Sequence, residues 1–168
     1  MMADNLIIDN NLSEEDKYAS LLQQLEYLLD EYDPAISILA NVSSAIKTTF
    51  NKISWAGFYI KSGNCLFLGP FQGTTACTKI FEGKGVCGTS VLKKETILVN
   101  DVNSFPGHIA CDSGTKSEIV IPIFKGTEVI AVLDIDSYNY SAFNDTDKFY
   151  LEKLCRLIES KTDVSKIF

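Results

Sequence analysis

Cys77, Cys87 and Cys111 fall in or beside stretches with little regular pattern, "QGTTACTKIFEGKGVCGTS" and "NDVNSFPGHIACDSGTK". A thiol in such a loop is within reach of solvent, oxidants and other thiols. Its chemistry is nucleophilic attack or reversible disulfide formation, at a rate set by how much thiolate it carries. His108, the only histidine, stands three residues before Cys111 and would stabilise a thiolate there if protonated and close in space. Cys87 is expected in the first turn of a helix, where backbone N–H groups favour the same charge. Cys155 shares apolar helical spacing with Leu151 and Ile158, and Cys65 begins a strand; both are expected to be structural, since a buried cysteine behaves as a small hydrophobe. On residue type alone, three unrelated loop thiols remain the alternative to a redox set.

The second group is acidic. In "VIAVLDID" side chains alternate, so Val132, Asp134 and Asp136 share one strand face and Leu133 and Ile135 the other. In "SEIVIPI" Glu118 shares a face with Val120 and Pro122. With a three-residue hairpin loop of Lys125, Gly126 and Thr127, Glu118 stands opposite Asp134 on the same face; with a two-residue loop the faces differ. Carboxylates clustered on an apolar face bind a cationic group, or hold one proton between them because like charges raise one carboxyl pKa. The bland alternative is a frayed strand end whose acids face water.

These residues need a scaffold. "SEEDKYASLLQQLEYLLDEY" has helical spacing behind Ser13 as N-cap, with three acids in the first turn. "DPAISILANVSSAIKTTF" repeats the signal with Asp33 as N-cap and Pro34 as first helical residue. "SWAGFYI" and "CLFLGPF" read as strands around the turn "KSGN", "VCGTSVLKKE" as a short helix and "TILV" as a short strand. "SEIVIPIF" and "EVIAVLDID" form the clearest hairpin, and residues 144–160 an amphipathic closing helix. Hairpins and loops join most strands, so an α+β domain with a largely antiparallel sheet and helices on its outside face is expected. Residues 1–12 are expected as a flexible N-terminus and 13–168 as a single domain.

Composition bounds the partners. The chain has 168 residues, 46% hydrophobic, with net charge -7. That length suits one domain with a sizeable core, and the negative charge disfavours nucleic acid or an anionic membrane. No apolar run approaches the roughly 20 residues of a membrane span, and "MMADNLIIDNNLSEEDK" lacks the basic-then-apolar order of a secretory signal. A cytoplasmic location is expected, where cysteine pairs serve catalysis or sensing. The five cysteines form no CxxC, and one histidine leaves a zinc site needing three irregularly spaced thiolates, so neither metal nor bound cofactor is expected.

"WAGFY", "LGPFQG", "AC" followed by "GKGVCGTS", "VNDV", "FPGHIACD", "KSEIVIPI" and "VLDIDS" together resemble the free methionine-(R)-sulfoxide reductases, a branch of the GAF-domain family. The resemblance runs from about Trp55 to the last helix. It implies a GAF-like, six-stranded antiparallel sheet flanked by helices. Cys77, Cys87 and Cys111 match the family's redox cysteines, and Trp55, Glu118, Asp134 and Asp136 its substrate-pocket residues. Cys111 is expected as nucleophile, Cys77 as its main resolving partner and Cys87 as a second partner and rival nucleophile. The implied activity is reduction of free L-methionine (R)-S-oxide through a sulfenic acid and an intramolecular disulfide, with NADPH-linked thioredoxin as external reductant, in the context of oxidative stress. The resemblance also implies a homodimer through the N-terminal helices, whose Leu21, Leu22, Leu25, Leu28 and Leu29 fit either that interface or this domain's own sheet. The competing readings are a GAF-type small-molecule sensor, which would need an output domain these 168 residues do not carry, and a peroxide switch using the same cysteines without turnover.

Overall fold

The structure, a computed structural model, describes residues 6–167. The elements run α1 (Glu14–Leu28), α2 (Ala35–Thr49), β1 (Trp55–Ser62), β2 (Cys65–Gln72), β3 (Lys79–Phe81), α3 (Gly85–Lys93), β4 (Ile97–Val99), β5 (Ser117–Lys125), β6 (Glu128–Ser137) and α4 (Asp145–Lys161). The strands form one six-stranded sheet in the order β3-β2-β1-β6-β5-β4, with every neighbouring pair antiparallel. This is the α+β arrangement expected.

Local chemistry sets the helix ends. Ser13 caps α1, its hydroxyl accepting the Asp16 N–H at 3.1 Å. Asn144 and Asp147 form a reciprocal capping box at the start of α4. α2 starts one residue later than expected. Pro34 holds ψ at 135° and becomes the cap itself, without a side-chain bond. Asp33 instead closes a turn, its N–H bonding Asp30 O at 3.1 Å. Of the stretch 1–12, residues 1–5 lie outside the described residues. Ile7 exchanges two hydrogen bonds of 2.9 Å with the Gln24 side chain, and Leu6 and Ile8 pack against the core.

Strand alternation divides the apolar residues between two layers. Ala56, Phe58, Ile60, Ile119, Ile121, Leu133 and Ile135 face α1, α2 and α4 in the larger core. Leu21, Leu25 and Leu29 are buried there, with Leu22 and Leu28 against the same cluster, so these leucines serve this chain's own core. The opposite face carries Trp55, Tyr59, Val120 and Val132 and is covered by Val86, Cys87 and Val91 of α3. The expectation of helices on the outside face therefore holds for three of them, while α3 roofs the other face.

The β5–β6 hairpin departs from both anticipated registers. Lys125 pairs with Glu128, leaving a two-residue loop, Gly126 and Thr127. A two-residue loop by itself would separate Glu118 from the aspartates. However, Phe124 pairs with Val129 and Ile123 with Ala131, so Ile130 is an extra, bulged residue. The bulge restores parity. Glu118 stands opposite Asp136, and Val120 opposite Asp134, with all three acids on the α3 face.

Candidate active site

β1 supplies one wall of the site. Trp55 pairs with Asp136 and Gly57 with Asp134 on the adjacent β6. Trp55 stacks on Phe71, with ring centroids 5.3 Å apart. Gly57 must be glycine, because a Cβ there would collide with Phe71 and with the Trp55 ring. On the same face Tyr59 donates its hydroxyl to Cys77 O at 2.9 Å. The Trp55 indole N–H donates to Thr74 O at 3.0 Å. Two β1 aromatics thus hold the loop that carries Cys77.

The acids come together under α3. Glu118 and Asp134 are 6% and 7% exposed, which rules out solvated strand-end residues; Asp136 is partly exposed. One oxygen of each buried acid and Cys87 Sγ lie within 4.8 Å of one another. Burial, then the charges of Asp134 and Asp136, push the Glu118 pKa well up. Asp136 is raised by burial, then by Asp134 and Asp112. Asp134 is raised by burial too, but hydrogen bonds from Cys87 and Glu118 pull back, leaving it at about 6. Glu118 and Cys87 therefore hold their protons more tightly than isolated groups would, and each hydrogen-bonds to the Asp134 carboxyl. Asp134 Oδ1 is buried without a hydrogen-bond partner, which among the described residues is true of only one other side-chain oxygen, Ser54 Oγ.

Cys87 differs from the sequence expectation. It does lie in the first turn of α3. Yet burial, followed by the charges of Asp134 and Glu118, pushes its thiol pKa well up. The nearby acids outweigh the helix terminus, and Cys87 is held as a thiol. Thiol and carboxylates are also donors that a divalent cation accepts, but a cation here must first displace the protons that Cys87 and Glu118 hold.

Cys77 and Cys111 are joined in a disulfide with Cα atoms 5.4 Å apart. Both are half-buried; Cys65, Cys87 and Cys155 are buried free thiols. His108 Nε2 stands 3.7 Å from Glu118 Oε2. Burial lowers its pKa, so the imidazole is mainly neutral at pH 7. A cavity of about 30 Å³ is lined by residues including Cys87, His108, Cys111, Glu118, Asp134 and Asp136. That is room for about one water molecule, not for an amino acid. A groove of about 980 Å³ lies between the start of α2 and the end of α4, but it contains no cysteine and none of the cluster acids.

All seven residues singled out by sequence thus lie on or above one sheet face. Tyr59 was missed, although its period-two spacing from Trp55 carried the signal. Asp112 was missed for want of any pattern around it.

A family model described as "GAF domain" matches residues 37–160. The chain is 46% identical over 164 residues to the "Free methionine-R-sulfoxide reductase" of Saccharomyces cerevisiae, covering 93% of this chain and 91% of that one. It is 40% identical to the Escherichia coli protein of the same name, covering 90% and 93%. Among solved structures it is similar to the free methionine-R-sulfoxide reductase from Neisseria meningitidis in complex with its substrate, with TM-score 0.90, 37% identity and 98% of each chain covered.

Proposed function

The chain belongs to the GAF domain family, among the free methionine-R-sulfoxide reductases, and on that premise we propose how its pocket residues divide the work. The reaction is the thiol-dependent reduction of free L-methionine (R)-S-oxide to L-methionine. Cys111 attacks the sulfoxide sulfur. The acid cluster protonates the sulfoxide oxygen and takes back the Cys111 thiol proton; the resulting hydroxyl then passes from the substrate sulfur to the Cys111 sulfur as the bond between the two sulfurs breaks, so that methionine departs as thioether with the electron pair and Cys111 is left as a sulfenic acid. Cys77 then displaces that oxygen as water and closes the disulfide. An external dithiol, thioredoxin supplied from NADPH, reopens it.

The observation that carries this reading is the shared cavity. Cys111, one half of the disulfide, lines the same space as Glu118, Asp134 and Asp136. Glu118 is the acid that protonates the sulfoxide oxygen, since burial and the two neighbouring aspartates raise its pKa well above the ordinary carboxyl value. Asp134 receives the substrate ammonium at its unpartnered Oδ1, with Asp136 beside it. An internal methionine sulfoxide in a peptide has no ammonium to offer and would leave a buried carboxylate unpaired, which costs more than a missing contact. Trp55 packs the S-methyl end, a sulfur–aromatic contact worth roughly 0.3–1.5 kcal/mol.

Two further assignments belong to this proposal. The protein is a homodimer, supported by the family and by the exposed Tyr27, Tyr32 and Ile36 at the end of α1 and start of α2; a monomer in sedimentation at micromolar concentration would remove it. It works in the cytoplasm, where dithiol reductants are maintained; no described helix is long and apolar enough to cross a membrane.

The deciding experiment mixes reduced protein with one equivalent of substrate and measures methionine. Cys77→Ser should release one equivalent and Cys111→Ser none. Release by Cys111→Ser with silence from Cys87→Ser reverses the assignment.

A further inference from the structure

Asp112 directly follows Cys111, and its carboxylate gathers donors from three segments. Thr74 Oγ1 donates to Oδ2 at 3.0 Å, the Tyr138 hydroxyl to Oδ2 at 2.8 Å, and the Gly114 N–H to Oδ1 at 2.8 Å. Thr74 lies three residues before Cys77, and Tyr138 directly follows β6. Each donor is itself anchored. Thr74 O receives the Trp55 indole at 3.0 Å. Gly114 lies so close on the Tyr138 ring that a Cβ would sit 2.9 Å from Cε1. Lys116 N–H bonds Ser137 O at 2.8 Å, fastening the end of the Cys111 loop to β6.

We propose that Asp112, Thr74 and Tyr138 form a clasp that holds the Cys77 loop against the Cys111 loop while the disulfide is open, making Asp112 a positioning residue for disulfide closure. The proposal rests on the assignment of Cys111 and Cys77 above. A disulfide forms only when its Cα atoms come within about 4.4–6.8 Å. In the closed protein the covalent bond enforces the observed 5.4 Å. Once it is reduced, two largely exposed loops must be kept adjacent by other means, or the effective concentration of Cys77 at Cys111 falls. The clasp uses neither thiol, so it survives reduction. Its acceptor is ionised, because the Gly114 N–H and then the Tyr138 hydroxyl hold Asp112 below the usual carboxylate range, and bonds to an ionised acceptor are the stronger kind.

The assisted step is balanced within the chain. The Cys77 sulfur bonds to the Cys111 sulfur, the sulfenic S–O bond breaks, and the hydroxyl leaves as water with the Cys77 proton. When closure is slow the sulfenic acid persists and is open to a trapping reagent.

The test gives reduced protein one equivalent of methionine sulfoxide with dimedone present. Rapid quenching then counts methionine, disulfide and the dimedone adduct on each cysteine. Thr74→Val and Tyr138→Phe should release methionine at the wild-type rate yet close the disulfide several-fold more slowly. Asp112→Asn should close about tenfold more slowly, as expected for loss of charge-assisted bonds between the loops. In all three the adduct on Cys111 should rise, and Asp112→Glu should recover part of the loss. A merely structural role would slow methionine release along with closure, which overturns the proposal, as do unchanged closure and adduct in all variants. If Asp112→Asn fails to fold, the Thr74 and Tyr138 variants decide alone. An adduct on Cys87 already in the wild type sinks the Cys111 assignment and the clasp with it, and is distinguishable because it needs no variant.

Discussion

The Tyr59 hydroxyl donates to the Cys77 carbonyl at 2.9 Å, so β1 holds the loop that carries Cys77 against the α3 face of the sheet. The bond satisfies a tyrosine that is otherwise buried among apolar residues and acids, whose surroundings hold its pKa far above the ordinary phenol value.

Tyr59→Phe should therefore cost about 1 kcal/mol of stability in the oxidised protein, the usual net worth of one such bond. It should also slow disulfide closure. Urea melts and rapid-quench thiol counts check both, and a variant that melts and closes like wild type would show that the Cys77 loop is held elsewhere.

Asp134 carries a pH signature. Its pKa rises from the ordinary 3.8 to about 6 in the fold, so the folded state binds the extra proton between those values. Stability relative to a neutral residue is unaffected below about pH 4, declines as pH climbs to about 6, and stays reduced above that. The full cost is on the order of 2–3 kcal/mol. Asp134→Asn should thus melt higher than wild type at pH 8, with the gap closing by pH 4, while turnover is strongly impaired. An amide variant with full activity would overturn the assignment of Asp134 to the substrate ammonium.

In reduced protein at pH 7, iodoacetamide should label Cys111 and Cys77 well before Cys87. Burial and the Asp134 and Glu118 charges keep Cys87 protonated, and it is 3% exposed. Peptide mass spectrometry reads the order directly; Cys87 labelled first would favour the rival assignment of Cys87 as nucleophile.

Substrate binding should depend on redox state. With the disulfide closed, the cavity of about 30 Å³ admits no amino acid. Calorimetry should find no binding of methionine sulfoxide to oxidised protein and clear binding to Cys111→Ser. Trp55, the only tryptophan, reports the same change by fluorescence. Equal affinity in both states would mean that the pocket opens independently of the disulfide.

Much of this site was legible in the sequence. Alternation along "VLDIDS" put Asp134 and Asp136 on one face, and placement in irregular segments set Cys77, Cys87 and Cys111 apart from Cys65 and Cys155, while their redox roles came from the family resemblance. What escaped notice depended on three-dimensional neighbours. The fate of Cys87 was decided by acids some thirty to fifty residues away in sequence, which no helix-terminus rule contains. The register turned on one bulged residue, Ile130, that looks like any other apolar strand residue. The Asp112 bonds join loops without periodicity.

Ile130 also marks where this chain has little freedom to change length. Deleting that single residue while keeping the hairpin loop would shift all of β6 beyond it by one position. Asp134 and Asp136 would then be driven toward the α1, α2 and α4 core, and Leu133 and Ile135 toward the thiols. Substitution at this position is an ordinary packing matter, whereas loss of one codon in frame exchanges the inside of the molecule for its reactive surface. Insertions and deletions between Ile123 and Ala131 should accordingly survive in pairs or not at all.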